Sequence, residues 1–517
     1  MNVNSRNLLR IAIVIVAAGY FAYASFAKKS DAGASAPLAE PIAPRATGFT
    51  LGTLRFEACE LAQKKSAATT SAFCAPFSVP ENRAATNGRT IALKLALIKS
   101  DAVSANSDIV VYLAGGPGQS AIETWPQLAS ALAPLRRHHH ILLLDQRGTG
   151  GSNPLTCGSS PMDEKFAAEA DVDPAALGAR TRECLASIGD RADVAQYTTT
   201  AAVEDLEAVR QALGAPLFDL VGVSYGTRVA QQFLMRHAGG VRSVVLDSVA
   251  PNELVFGAEF AINLETALKS QFALCTQTPA CAKAFGDPYA SLGQLRAQLH
   301  ANPHGYDVPD PVTFQPVHRQ VTDRIVAGLV RMFAYTPESA ALLPLSIAQG
   351  LKGNLTPLVG QAQVITGDLA DLADNGMQMS VICSEDVDLL VPRPQDAQLV
   401  LGTSMVDGLQ SACAVWPHGT RPADFHAPLK SDKPVLILEG EFDPVTPPRY
   451  GEQVMQGLSN GRLLVAKGQG HNVIGRGCMP KLVGDFVDKL APKSLDAKCV
   501  DALGPMPAYI DFNGAAP

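Results

Sequence analysis

The stretch Gly222-Val223-Ser224-Tyr225-Gly226 decides the reading of this 517-residue chain. An apolar run, Leu217–Val223, leads into it, and a helix-like run, Thr227–Arg236, leaves it. A serine between two glycines, at the junction of a strand and a helix, is the pattern of a nucleophile held on a sharp turn. The residues two before and two after the serine must lack bulk so that strand and helix can approach. The alternative is a tight glycine-rich turn with an incidental serine.

Working outward, five more short apolar runs read as buried parallel strands: Ile109–Ala114, Ile141–Asp145, Ser243–Asp247, Val435–Glu439 and Arg462–Ala466. Helical patterns lie between some of them. In Ala201–Leu213, Val203, Leu206, Val209 and Leu213 share a face, and Gly214 follows as a stop. Strands alternating with helices predict an α/β fold with a doubly wound, mostly parallel sheet. The alternation fails between about Pro251 and Lys433. This interval reads as a large, mainly helical cap over the carboxyl edge of the sheet, where open α/β folds bind ligands. The expected organisation is a core over residues 51–251, a cap insertion over 252–432, and a return to the core over 433–517.

Two residues answer the serine in the order acid, then histidine. Asp443 follows the run Val435–Glu439, and His471 follows Arg462–Ala466. Both stand at carboxyl ends of predicted strands, as Ser224 does, so all three would project from one edge of one sheet. Alone, Asp443 reads as a turn former before Pro444, and His471 as a loop histidine. Together they can activate the serine. His471 takes its proton and returns it to a leaving group, while Asp443 orients the imidazole and stabilises its cation. An oxyanion needs backbone donors. Tyr225, just after the serine, supplies one. The loop Gly115-Gly116-Pro117-Gly118 after Ile109–Ala114 supplies the other, through Gly115 or Gly116. Arg147, in Asp145-Gln146-Arg147-Gly148, reads as a brace paired with a buried carboxylate; the alternative is a clamp for a substrate carboxylate. His138-His139-His140 reads as a solvated strand entry, because three adjacent residues of an extended chain cannot all face one metal.

Composition narrows the compartment and the partners. Net charge is −7, without long basic runs, which argues against a nucleic-acid partner. Arg6 and Arg10 precede the apolar run Ile11–Ala27, and small-x-small sites fall at Ala22-Tyr23-Ala24 and Ser25-Phe26-Ala27. Residues 1–27 thus read as a secretory signal or an uncleaved membrane anchor, and 28–50 as a tether rich in Ala and Pro. The ten cysteines are even in number and lack the Cys-x-x-Cys spacing, so disulfides in an exported chain are expected, not zinc or redox chemistry. Pairing of sequence neighbours is the simplest scheme: 59–74, 157–184, 275–281, 383–413 and 478–499. No metal and no organic cofactor is implied.

Taken together, Gly-Gly-Pro-Gly-Gln-Ser, Asp-Gln-Arg-Gly-Thr-Gly, Gly-Val-Ser-Tyr-Gly-Thr and the loops at Asp443 and His471 resemble the prolyl and tripeptidyl aminopeptidases of the α/β-hydrolase superfamily. The likeness is strongest to the exported bacterial tripeptidyl-aminopeptidase branch. It runs from about Phe56 to Cys499 and includes the tail after His471 with Cys478 and Cys499. Ala114 stands where many prolyl aminopeptidases have a histidine, which bears on proline specificity more than on fold. The resemblance implies an α/β-hydrolase fold and a serine peptidase that removes short units from peptides with a free amino terminus. It also implies carboxylates that hold the substrate ammonium. Glu385, with Asp386 second, is the candidate within Cys383-Ser384-Glu385-Asp386; the alternative is a structural pair beside a disulfide. An esterase or lipase with the same triad stays open, because fold does not choose between amide and ester. A non-catalytic envelope binding protein is less well supported, since none of the three residues is lost. Dehalogenase and epoxide-hydrolase chemistry would need Asp at the position of Ser224.

Overall fold

The computed structural model describes residues 48–62, 69–157, 174–309, 315–360 and 375–515. The N-terminal signal or anchor, and the tether as far as Thr47, lie outside them. Twelve strands are described: β1 Gly48–Leu51, β2 Leu54–Ala62, β3 Thr69–Pro80, β4 Thr90–Ile98, β5 Ile109–Leu113, β6 His140–Leu144, β7 Phe218–Val223, β8 Val241–Asp247, β9 His304–Pro309, β10 Pro316–Val321, β11 Val435–Gly440 and β12 Gly461–Ala466. The tether reading therefore overreaches by three residues, since β1 opens at Gly48 and pairs with β2.

Ten strands form one sheet in the order β1-β2-β3-β4-β6-β5-β7-β8-β11-β12. From β6 to β12 all neighbours are parallel, and β1 to β4 form an antiparallel wing that joins antiparallel at β6. The six apolar runs read from the sequence are the six parallel strands. They are mostly apolar because helices cover both faces of the sheet. Side chains alternate between those faces. Val111, Leu113, Leu220, Val244 and Ile437 enter one core, while Val110, Tyr112, Val221, Val245 and Leu436 enter the other.

The antiparallel wing is absent from the runs read in the sequence, although β4 carries its signal. Ile91, Leu93 and Leu95 are buried, and Thr90, Ala92 and Lys94 between them are exposed. That is the period-two pattern of a half-covered strand.

Among its described residues, the interval 252–432 is mainly helical, with β9 and β10 paired antiparallel. Part of it has its own core, with Leu264, Leu268, Phe272, Leu292, Val330, Phe333 and Ile347. The helix Asn375–Glu385 differs: Val381, Ile382 and Cys383 pack into the core that covers one face of the sheet. The insertion is thus anchored in the core as well as folded on itself. All ten cysteines are paired, as sequence neighbours: Cys59–Cys74, Cys157–Cys184, Cys275–Cys281, Cys383–Cys413 and Cys478–Cys499. Each bridge restricts the unfolded chain more than it adds native contacts. Among the described residues, no helix is long and apolar enough to cross a membrane.

Two polar clusters brace the sheet. Arg147 is fully buried, forks onto Asp205 at 2.7 and 2.8 Å, and donates to the carbonyls of Glu81 and Gln196. This is the brace expected of it. The reading of His139 as solvated is corrected. Its ring is fully buried, 2.6 Å from Asp108 and 3.1 Å from Asp488. Burial works against its charge, but the two carboxylates prevail and raise its pKa above the usual 6.5. Neither carboxylate neighbours the histidines in sequence, so local patterning could not show this. Asp108, His139 and Asp219 bring metal-ligand atoms within 4.8 Å of one another. Arg242 Nη2 donates to Asp219 at 2.8 Å and lies 2.9 Å from Asp108 Oδ2, so a guanidinium supplies positive charge there.

Candidate active site

Ser224 sits where β7 passes into the helix Tyr225–Arg236, with φ 54° and ψ −122°. A non-glycine residue seldom adopts a positive φ, so the turn is strained and must be held by its surroundings. Its flanking glycines are needed for space. A Cβ on Gly226 would lie 2.1 Å from the Leu113 carbonyl oxygen, and one on Gly222 would lie 2.5 Å from that of Gly226.

The acid and the histidine meet. Asp443 Oδ2 accepts from His471 Nδ1 at 2.7 Å, and both residues are buried. Asp443 Oδ1 also accepts the amides of Val445 and Thr446, each at 2.8 Å, and Oδ2 accepts the Thr446 hydroxyl at 2.9 Å. Such a carboxylate can only accept, so Nδ1 carries the proton and Nε2 is left as the basic nitrogen. The cap reaches this loop as well. The His471 amide donates to the Tyr335 carbonyl at 2.8 Å, and the two rings meet edge to face at 5.3 Å.

The glycine loop lies against the serine. A Cβ on Gly115 would sit 3.2 Å from Ser224 Cβ and 3.1 Å from Gln119 Oε1. Gly116 follows with φ 107°. Tyr225 opens its helix, so its amide lacks an intrahelical acceptor. Of the three residues expected at the oxyanion position, Gly115 thus lies against Ser224 and Tyr225 follows it directly in the chain.

Two further carboxyls, missed in the sequence, flank the acid. Glu439 is fully buried, with Oε1 accepting the Val249 amide at 3.1 Å. Burial, and then the charge of Asp443, push its pKa well above the carboxylate range. Asp247 is pushed up to about 6, chiefly by burial, while the amides of Val473 and Ile474 pull the other way. A signal was present: both acids end strands read from the sequence, at the edge that carries Asp443.

Glu385 and Asp386 are not surface groups of a cleft, as an ammonium site would need; both are fully buried. Glu385 accepts the amide of Thr199 at 2.5 Å and its hydroxyl at 2.8 Å, and that hydroxyl lies 2.7 Å from the Tyr225 hydroxyl. It therefore caps the helix Thr199–Ala212. Asp386 pairs at 2.9 Å with Arg228, which is equally buried and stacks 4.2 Å from the ring centroid of Phe256. The two acids tie the insertion to the helices around the serine. A cavity of about 550 Å³ lies beside the candidate triad, not over it. Phe442 and Gly468, from the acid and histidine loops, line it with Pro505, Met506 and Cys275, but Ser224, Asp443 and His471 do not.

A strained serine on a strand end, with a buried acid–histidine pair at the same edge of one sheet, defines a serine hydrolase of the α/β type. The chain belongs to the alpha/beta hydrolase fold family, which matches residues 108–476. It is 25% identical over 467 residues to the serine protease Hip1 of Mycobacterium tuberculosis, covering 83% of this chain and 87% of that protein. It is 26% identical over 470 residues to carboxylesterase B of the same organism, covering 82% and 86%. A shorter match, 28% over 188 residues, is to the tripeptidyl aminopeptidase of Streptomyces coelicolor and covers 34% and 35%.

Proposed function

We propose that this chain is an exported serine peptidase that releases short units from peptide amino termini, with Ser224 as nucleophile, His471 as base and Asp443 as its orienting acid. The hydrogen bond from His471 Nδ1 to Asp443 carries the reading, because it leaves Nε2 free to take the serine proton. In this scheme Ser224 Oγ attacks the scissile carbonyl carbon and its proton passes to His471. The oxyanion accepts from the amides of Tyr225 and the Gly115–Gly116 loop. The carbon–nitrogen bond breaks as His471 returns the proton to the departing amine. Water, deprotonated by the same histidine, then releases the acyl group and restores the serine. The five disulfides and the similarity to a serine protease support export and peptide chemistry.

The full burial of Glu385 and Asp386 supports a bracing role for both, with the ammonium met by other groups. A carboxylesterase is the second reading, favoured by the similarity to carboxylesterase B over a comparable share of the chain. The test is a peptide library with free and acetylated amino termini, run beside short acyl nitrophenyl esters. Free peptides should be cleaved and acetylated ones spared; Ser224→Ala should remove turnover by several orders of magnitude with the fold intact. Equal cleavage of acetylated peptides sinks the aminopeptidase reading, and hydrolysis of esters alone installs the esterase.

A further inference from the structure

The proposed chemistry needs three separate segments in register: the turn at Ser224, strand β11 that leads to Asp443, and the loop of His471. Two adjacent residues at the end of β8, Asp247 and Ser248, bond to all three. The Asp247 carbonyl accepts the Ser224 amide at 2.9 Å. The Ser248 amide donates to the Leu438 carbonyl of β11 at 2.8 Å. Their side chains take the amides that follow His471, in order. Ser248 Oγ accepts from Asn472 at 2.8 Å, Asp247 Oδ1 from Val473 at 2.9 Å, and Asp247 Oδ2 from Ile474 at 3.0 Å. Both residues are fully buried.

A strand end needs none of this to terminate. The chain turns at Asn472, with φ 67°, and the amides of the buried Val473 and Ile474 would otherwise lack acceptors. Ser248 is itself held at φ 57°, a conformation a non-glycine residue keeps only when its contacts impose it. The carboxylate of Asp247 spends both oxygens on backbone amides, which fix position and not merely charge. With Tyr335 holding the His471 amide on one side, the loop is clamped from both sides.

The geometry points to Asp247 and Ser248 as positioning residues that hold the general base in register with the nucleophile. This inference rests on the triad reading above. It assigns these two residues no contact with substrate; they act through the backbone of residues 224 and 472–474.

Two variants test it, with a short acyl nitrophenyl ester as substrate so that the natural substrate need not be known. Asp247→Asn keeps the shape but offers one acceptor where two amides point. It should lower kcat roughly 10- to 100-fold while KM changes by less than about twofold, the signature of a misplaced reacting group. Ser248→Gly removes the acceptor for Asn472 but suits the positive φ, so a merely structural role predicts an unchanged or raised Tm and full activity. Positioning predicts a several-fold fall in kcat at that same Tm. If Asp247→Asn fails to fold, Ser248→Gly decides alone. Wild-type kcat in Ser248→Gly, with Ser224→Ala inactive, overturns the positioning role and leaves the triad standing. Turnover in Ser224→Ala overturns the triad itself.

Discussion

Replacing Glu385 with Gln should stabilise the protein at neutral and alkaline pH and leave its stability near pH 4 unchanged. Glu385 is fully buried, and burial first, then the charge of Asp386, push its pKa from 4.5 up to about 8. An acid whose pKa is raised on folding binds its proton more tightly in the folded state. Its contribution therefore falls as pH climbs from the unfolded value to the folded one. Over the window from 4.5 to about 8 the loss is about 4–5 kcal/mol, at 1.36 kcal/mol per unit. Gln mimics the protonated acid: its oxygen accepts the Thr199 amide and its nitrogen donates to the Thr199 hydroxyl, the two groups Glu385 now meets. With roughly 2.1 cal/mol/K of unfolding entropy per residue, the gain at pH 8 is about 4 °C in Tm. Scanning calorimetry of both proteins from pH 4 to 9 measures it, and the two curves should part only above about pH 5. Parallel curves would show that Glu385 is charged when folded and would refute the burial argument. The same variant tests function. A bracing residue lowers free-peptide and ester turnover alike or not at all. A loss of about 1.5–3 kcal/mol confined to free peptides would place Glu385 on the substrate ammonium after all.

Asp386→Ala should cost about 3–5 kcal/mol in denaturant unfolding, because it strands the buried Arg228 guanidinium; the double variant Arg228→Met/Asp386→Leu should recover most of it, and equal losses in both would refute the ion-pair account. Gly226→Ala should abolish accumulation of folded protein, since its Cβ would meet the Leu113 carbonyl oxygen at 2.1 Å; a soluble variant with wild-type Tm would contradict the close approach of strand and helix. Peptide mapping without reductant should recover the five neighbour pairs and no free thiol, and crossed pairs would refute them.

Local patterning was enough to place the candidate site. The glycines around Ser224 record a backbone that needs space, and the runs before Asp443 and His471 record strands covered on both faces. Such constraints act within a few residues, so they leave a local trace. Neighbour pairing of the cysteines was legible for the same reason, because short loops close most easily. The antiparallel wing is also written locally, in the alternation of β4, a period-two pattern unlike the continuous apolar runs of the parallel strands.

What the tertiary structure alone decided are the partners of buried charges. His139 is held by Asp108 and Asp488, Asp386 by Arg228, and Asp247 by amides that follow His471. The family resemblance implies that Glu385, with Asp386 second, meets a substrate ammonium, and the fold instead encloses both. A charge in the interior is tolerated only where distant groups converge to replace its water. That convergence arises when remote segments pack together, and no window of neighbouring residues contains it.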